Sequence, residues 1–158
     1  MDIECGDCND FVELTERQFG GILDHHGFRP IRCTSEHDGR ECILLFESRN
    51  NRLLFVRSDG ADSCALGSLD AEFPESGIHG QGENGWYHVV ALLEFRSGKK
   101  LLTRRRLNKF LEGKDDYFLW QANLLADNAD ELFGLFSSGN EATWRNGFMQ
   151  YYRALIKG

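Results

Sequence analysis

Cysteine and histidine are concentrated in the first 42 residues, and these side chains are the ones in the chain best suited to bind a soft metal ion. The residues are Cys5, Cys8, His25, His26, Cys33, His37 and Cys42. Zinc takes about four thiolate or imidazole ligands in a tetrahedron, and a Cys-x-x-Cys turn supplies two of them. The predicted zinc ligands are Cys5, Cys8, His25 or His26, and Cys33, although no second regularly spaced pair follows.

The same cysteines allow two other interpretations. A redox pair at Cys5 and Cys8 is disfavoured because a thioredoxin-like site follows a strand, whereas this pair precedes a predicted helix. The five cysteines are an odd number, and no small disulfide framework surrounds them. The sequence therefore predicts reduced thiols rather than disulfides. A metal-binding or enzymatic domain that uses this Cys/His set stays an alternative function.

A basic segment from Lys99 to Lys109 holds six of the 18 basic residues, so the 12 others and the 25 acidic residues together carry −13. On a helix Arg105 and Lys109 are four residues apart, and Arg106 and Lys109 are three apart, which places them on one ridge. This basic ridge is a solvated helix face, a ridge that pairs with the protein's own carboxylates, or a docking site for phosphate or for an acidic partner within a larger assembly.

Acidic segments are the second candidate surface. The formal net charge is −7, which disfavours nucleic acid and anionic membranes and favours a basic protein as partner. The predicted partner-binding residues are Glu72, Glu75, Glu83, Asp127, Asp130 and Glu131. Acidic clusters at the start of a helix also have a simpler role, because they interact favourably with the helix dipole.

Catalytic and cofactor signatures are absent in their required contexts. Residues 80–85 match G-x-G-x-x-G, but no buried strand precedes them, and Arg105 stands about where a ribose-binding acid is expected. Neither G-x-S-x-G nor H-E-x-x-H occurs. We therefore expect no catalytic residue, and no cofactor apart from the zinc alternative.

The elements that must position these residues follow from hydrophobic periodicity. Phe11 to Leu23 place apolar side chains on one helical face, and Gly27 is a plausible stop. Apolar runs at 42–46, 52–56 and 63–69 predict an antiparallel meander of three to four strands. Because these runs hardly alternate, both sheet faces are expected to be covered, with helices packed on them.

The C-terminal half is predicted to be helical. Asn84 is expected to cap a helix that begins near Trp86 and ends at Gly98, with a strand over 87–95 as the alternative. Further helices are predicted over 104–111, over 116–136 as one long or two broken helices, and over 140–156. The last helix has an expected core stripe of Trp144, Phe148, Tyr151 and Leu155.

The sequence thus predicts an α+β fold with an N-terminal helix, the meander, and a helical C-terminal half packing on the sheet. We expect one domain over residues 1–158, with a flexible glycine-rich loop near 74–85. No apolar run is as long as a membrane span, and the N-terminus lacks the basic and apolar regions of a signal peptide. The expected location is cytoplasmic, with no membrane contact.

The order of these elements resembles small single-domain bacterial proteins of the immunity or antidote type. The resemblance is carried by a helix ending in His26-Gly27-Phe28, by the strand pair 42–46 and 53–56, and by Gly85-Trp86-Tyr87 before a Val/Leu run. It implies an acidic cytosolic protein that binds and blocks one partner, such as a basic toxin or effector enzyme. It carries over no binding residue by position.

Overall fold

The fold was obtained as a computed structural model, and it describes residues 3–74 and 81–157. The helices and strands in chain order are α1 (Asn9–His25), β1 (Arg29–Glu36), β2 (Glu41–Glu47), β3 (Arg52–Ser58), β4 (Ala61–Gly67), β5 (Tyr87–His88), α2 (Val89–Ser97), α3 (Arg104–Leu111), α4 (Tyr117–Gly134) and α5 (Glu141–Lys157). The strands form one antiparallel sheet in the order β1-β2-β3-β4-β5. The predicted α+β class, with a meander between helices, is confirmed.

The central strands β2 and β3 are buried on both faces, as their apolar runs predict. Val56 lies opposite Ile43, and Leu53 lies opposite Phe46. Successive side chains of a strand point to opposite faces, so the two strands supply one set of residues to each side of the sheet. The set on the first side is Leu44, Phe46, Leu53 and Phe55, and the set on the second side is Ile43, Leu45, Leu54 and Val56.

Helices cover the first face of the sheet, as expected. The Phe55 ring lies 4.8 Å from that of Phe19 on α1 and 6.2 Å from that of Phe118 on α4, measured between centroids. Phe19 and Phe118 are themselves 4.9 Å apart. Such tilted and edge-on pairs are favourable aromatic geometries, and they hold α1 and α4 together above the strands.

The second face is covered differently from the prediction. Within residues 3–74 and 81–157 the cover consists of Trp86, Ala71 and Phe73, which belong to the connection between β4 and β5 and not to a helix. The Trp86 indole N–H donates to the Glu72 carbonyl at 2.6 Å. A Cβ on Gly67 would lie 2.6 Å from the Ala71 Cβ, so only glycine allows this connection to lie so close.

The start of α2 also differs from the prediction. Tyr87 and His88 pair with Leu66 and Ala65 as strand β5, and the helix begins only at Val89. Asn84 has a φ of 56° and does not cap this helix. Pairing with the β4 edge delays helix formation by about three residues, while Gly98 ends α2 as predicted, at a φ of 69°. Residues 75–80 of the predicted loop near 74–85 lie outside the described residues.

Helix α4 is joined to the sheet by the buried amide of Gln121. Its Oε1 accepts from the Cys64 backbone N–H at 2.9 Å, and its Nε2 donates to the Asp62 carbonyl at 3.0 Å. Strand β5 pairs only with Ala65 and Leu66, so the Gln121 amide takes the place of a neighbouring strand along the rest of β4. The predicted segment over 116–136 is helical over Tyr117–Gly134 and is kinked at Asn128, whose φ of −126° and ψ of 17° are not helical, as in the predicted alternative of two broken helices.

Helix α5 fulfils its predicted core role in part. Trp144 and Phe148 are buried, and Tyr151 is half-buried, but Leu155 is 51% exposed. The stripe therefore packs against the rest of the protein only along the first part of the helix, and the core prediction for Leu155 is wrong. None of the helices in the described residues is long and apolar enough to span a membrane.

Four of the five cysteines form disulfides, so the prediction of reduced thiols is wrong. Cys5 is bonded to Cys33 and Cys8 to Cys42, each pair with Cα atoms 5.9 Å apart, within the usual disulfide range. The two bonds fasten the segment before α1 to the β1–β2 hairpin. Cys64 is free and buried, and burial raises the pKa of its thiol far above the ordinary value.

Replacing Cys8 and Cys42 together by serine is expected to lower the free energy of unfolding by about 3–4 kcal/mol, because the bond closes a loop of 34 residues. Urea unfolding measures this loss, with Cys64→Ala as the control that removes a thiol without removing a crosslink. Thiol titration of the unreduced, denatured protein should count one free thiol. A count of five would contradict both disulfides.

His88 is expected to make stability fall with acid. Burial lowers the pKa of His88 to about 4, whereas an unfolded histidine titrates near 6.5. Between these values the unfolded chain binds more protons, so the free energy of unfolding decreases as pH falls through this window, by about 1–3 kcal/mol at most. Urea unfolding at several pH values should show a weaker dependence in His88→Gln, and equal slopes would contradict the assignment.

Candidate protein-interaction site

Helix α3 carries the basic ridge, and local signals define its ends. The Thr103 hydroxyl accepts from the Arg106 backbone N–H at 3.2 Å, as an N-cap residue does. At the other end the Lys114 N–H donates to the Lys109 carbonyl at 2.9 Å, across Gly113 with a φ of 71°. The helix over 104–111 therefore has the predicted bounds.

Within the part of the chain that the structure describes, the ring contacts of α3 are with the start of α4. The Phe110 ring lies 5.1 Å from that of Tyr117 and 5.3 Å from that of Trp120. The Arg106 guanidinium lies 5.0 Å above the Trp120 ring, a cation–π distance. No residue of α3 is buried. Since helices this short are marginal alone, we infer that these contacts and the cap keep it folded.

The cations of α3 have no carboxylate partner in the part of the chain that the structure describes. No ion pair there includes Arg105, Arg106 or Lys109. Two nearby acids are engaged elsewhere, since Glu112 pairs with Lys114 at 2.8 Å and Asp116 accepts from the Leu119 N–H. An open cavity of about 260 Å³ is lined by Thr103, Arg105, Arg106 and Lys109. The ridge is thus a concentrated, uncompensated positive surface.

Two exposed leucines lie on a different side of α3 from the ridge. Leu107 is 41% exposed and Leu111 is 76% exposed, and residues four apart share one side of a helix, whereas residues two apart do not. Leu107 is two residues from both Arg105 and Lys109, so the two leucines point away from these cations. We call the ridge of Arg105, Arg106 and Lys109 the α3 face.

Three of the six predicted acidic residues, Asp127, Asp130 and Glu131, line one cavity beside α4. Asp127 and Asp130 are exposed, and Glu131 pairs with Arg96 at 3.5 Å. Glu72 is exposed on the β4–β5 connection. Glu75 lies outside the described residues, and the side chain of Glu83 is not among those described.

Asp130 borders two adjoining cavities, and Asp127 borders one of them; we call the pair of cavities the acidic groove. The cavity that Asp127 also lines, of about 280 Å³, lies between residues 25–26 and 126–131. The other, of about 290 Å³, shares His26 and Asp130 with the first and is lined by the basic Arg49 as well. The His26 ring lies 4.8 Å from the Phe133 ring, so two packed rings form one edge of the groove.

The predicted zinc ligands are not brought together. Cys5, Cys8 and Cys33 are in disulfides, which lack the thiolate that zinc requires. His25 stands at the last residue of α1, about 25 Å along that helix from Cys8. A different triad, Glu36, His37 and Glu41, has ligand atoms within 4.8 Å of one another. The three residues are close in sequence around a hairpin turn, and this spacing is the sequence signal that could indicate the cluster. Two of the three side chains are exposed.

The buried hydroxyl of Tyr87 is a further polar site that sequence analysis missed. It donates to Glu141 Oε2 at 2.6 Å and accepts from Arg145 Nη1 at 2.6 Å. Burial, and then the Glu141 carboxylate, raise the pKa of Tyr87 well above its ordinary value. The hydroxyl therefore stays protonated, and the trio fastens α5 to β5 instead of offering a base.

Comparisons with protein-family models, with curated proteins and with solved structures found no significant match for this chain. The assignment of a function therefore rests on the surfaces described above.

Replacing Phe110 by alanine is expected to loosen α3 without unfolding the protein, because the ring is the main contact of the helix with α4. Amide hydrogen exchange should be about tenfold faster in residues 104–111, while α4 and the sheet keep their protection. Leu111→Ala is the matched control, since that side chain is largely exposed. Equal exchange in both variants would show that Phe110 does not anchor α3.

Proposed function

We propose that this chain is a non-catalytic protein-binding module that holds an acidic partner on the α3 face. The observation that carries the proposal is a helix with no buried residue, whose three ridge cations have no ion-pair partner within the described residues. Arg106 contacts the Trp120 ring, whereas the charges of Arg105 and Lys109 are available to a partner. This corresponds to the sequence alternative of a subunit that docks through its basic ridge.

The chemistry of the α3 face indicates what such a partner presents. Carboxylates opposite Arg105 and Lys109 would form charge-assisted hydrogen bonds. Leu107 and Leu111 lie on another side of the helix, so the contact with the α3 face is polar. An acidic segment therefore fits this face. Complementary charge also speeds association and makes it sensitive to salt.

An immunity-like inhibitor is the second candidate, and the acidic groove favours it. Asp127 and Asp130 are exposed beside two adjoining cavities, so a basic side chain of a bacterial toxin or effector enzyme could enter there. Negative potential would steer such an enzyme toward the groove. If the protein is such an inhibitor, the α3 face does not contribute to inhibition.

The disulfides indicate in which kind of cellular compartment the protein acts. Disulfides persist in oxidising compartments and are rare in the cytoplasm, so Cys5–Cys33 and Cys8–Cys42 favour an oxidising location. The cytoplasmic location expected from sequence stays a prediction, and it requires these four thiols to be reduced in the cell.

Charge reversal on each surface separates the two candidates. Tagged protein is isolated from its own cells after crosslinking, and partners are quantified by mass spectrometry. Arg105→Glu with Lys109→Glu should reduce a stoichiometric partner at least about tenfold, whereas Asp127→Lys with Asp130→Lys should retain it. Arg29→Glu with Arg153→Glu is the matched control, because both arginines are exposed and distant in sequence from α3.

The possible outcomes are distinct once circular dichroism has shown that each variant is folded. Loss only in the α3 variant supports docking on the α3 face. Loss only in the Asp127/Asp130 variant overturns that proposal and supports the inhibitor. Retention of the partner by all three variants overturns both.

A further inference from the structure

We propose that the cavity of the α3 face binds a phosphoryl group carried on a protein segment. This inference rests on the proposed function and names the chemistry of the partner more narrowly. Three cationic side chains and one hydroxyl, those of Arg105, Arg106, Lys109 and Thr103, surround the same cavity of about 260 Å³.

The number of charges favours a phosphoryl group over a single carboxylate. A carboxylate brings one negative charge, whereas a phosphorylated side chain brings about −1.5 to −2 and three acceptor oxygens. Arginine forks match phosphate oxygens in geometry, and lysine adds a compact positive charge. The Thr103 hydroxyl accepts from the Arg106 N–H and keeps its own proton for donation.

Part of this site is already in place before a ligand arrives. The Trp120 ring holds the Arg106 guanidinium at 5.0 Å, and Phe110 packs on the same ring. Arg106 therefore loses little freedom on binding. Glu112 is occupied by Lys114, so the nearest acid after the helix does not fill the cavity.

A protein segment fits better than a nucleic acid for two reasons. Nucleic acid would extend past the basic segment over a chain whose other residues carry −13, which results from 12 basic and 25 acidic residues, and would be repelled there. The Trp120 ring that a base would stack on is already covered by Arg106 and Phe110.

The test compares four fluorescent probes on the intact protein by anisotropy. The probes are a peptide of alternating Glu and Leu with one central phosphoserine, the same peptide with serine, the same peptide with glutamate, and single-stranded DNA of equal length. We expect the phosphopeptide to bind at least about tenfold more tightly than the other three. In Arg105→Ala with Lys109→Ala this advantage should vanish, and in Arg29→Ala with Arg153→Ala it should persist.

The outcomes separate this inference from the proposed function. Equal binding of the phosphoserine and glutamate peptides overturns the phosphoryl site but leaves docking of acidic segments intact. Tighter binding of DNA overturns the inference in favour of nucleic acid. If no probe binds, the phosphoryl site is overturned, and the partner-capture experiment with Arg105→Glu and Lys109→Glu decides the proposed function independently.

Discussion

The amide of Gln121 is the contact on which the placement of the α3 face depends. By accepting from Cys64 N and donating to Asp62 O, it satisfies the part of the β4 edge that lies beyond its pairing with β5. Each of these backbone groups would cost about 1–3 kcal/mol if buried without a partner, so α4 has one favoured position along the strand. That position buries Phe118 and leaves the neighbouring Trp120 half-buried, where Phe110 and Arg106 meet it. Because α3 has no buried residue of its own, it takes its position from α4.

The parts of the fold that the sequence predicted are those encoded by local signals. The bounds of α3 follow from a capping threonine and a terminating glycine, and the hairpin of β2 and β3 follows from two apolar runs around a polar turn. The disulfides depend instead on the register of β1 against β2, which places Cys33 and Cys42 beside the segment before α1. Spacing in sequence does not report that register. The cover of the second sheet face was missed for a similar reason, since it depends on a close approach at Gly67.

From the sequence, the candidate site is predicted only as a set of charged residues, without the contacts that position them. Arg105, Arg106 and Lys109 were identified from their spacing, and the acids that follow them suggested self-pairing as the simplest role. The structure shows why pairing does not follow from proximity in sequence: Asp116 points its carboxylate to the start of α4, and Glu112 meets Lys114. The aromatic support of α3 was also hidden, because Trp120 has an ordinary helical position in the sequence and its contact with Arg106 is a tertiary one.

Charged side chains of both signs are arranged along α4. Its first turn supports the basic α3 face, and its later turns, before and after the kink at Asn128, expose Asp127 and Asp130. Positive and negative charge is therefore separated on the surface, although the net charge is negative. Under the proposed function, a partner with the complementary polarity would be oriented before contact, whereas a uniformly charged partner would be attracted at one end and repelled at the other.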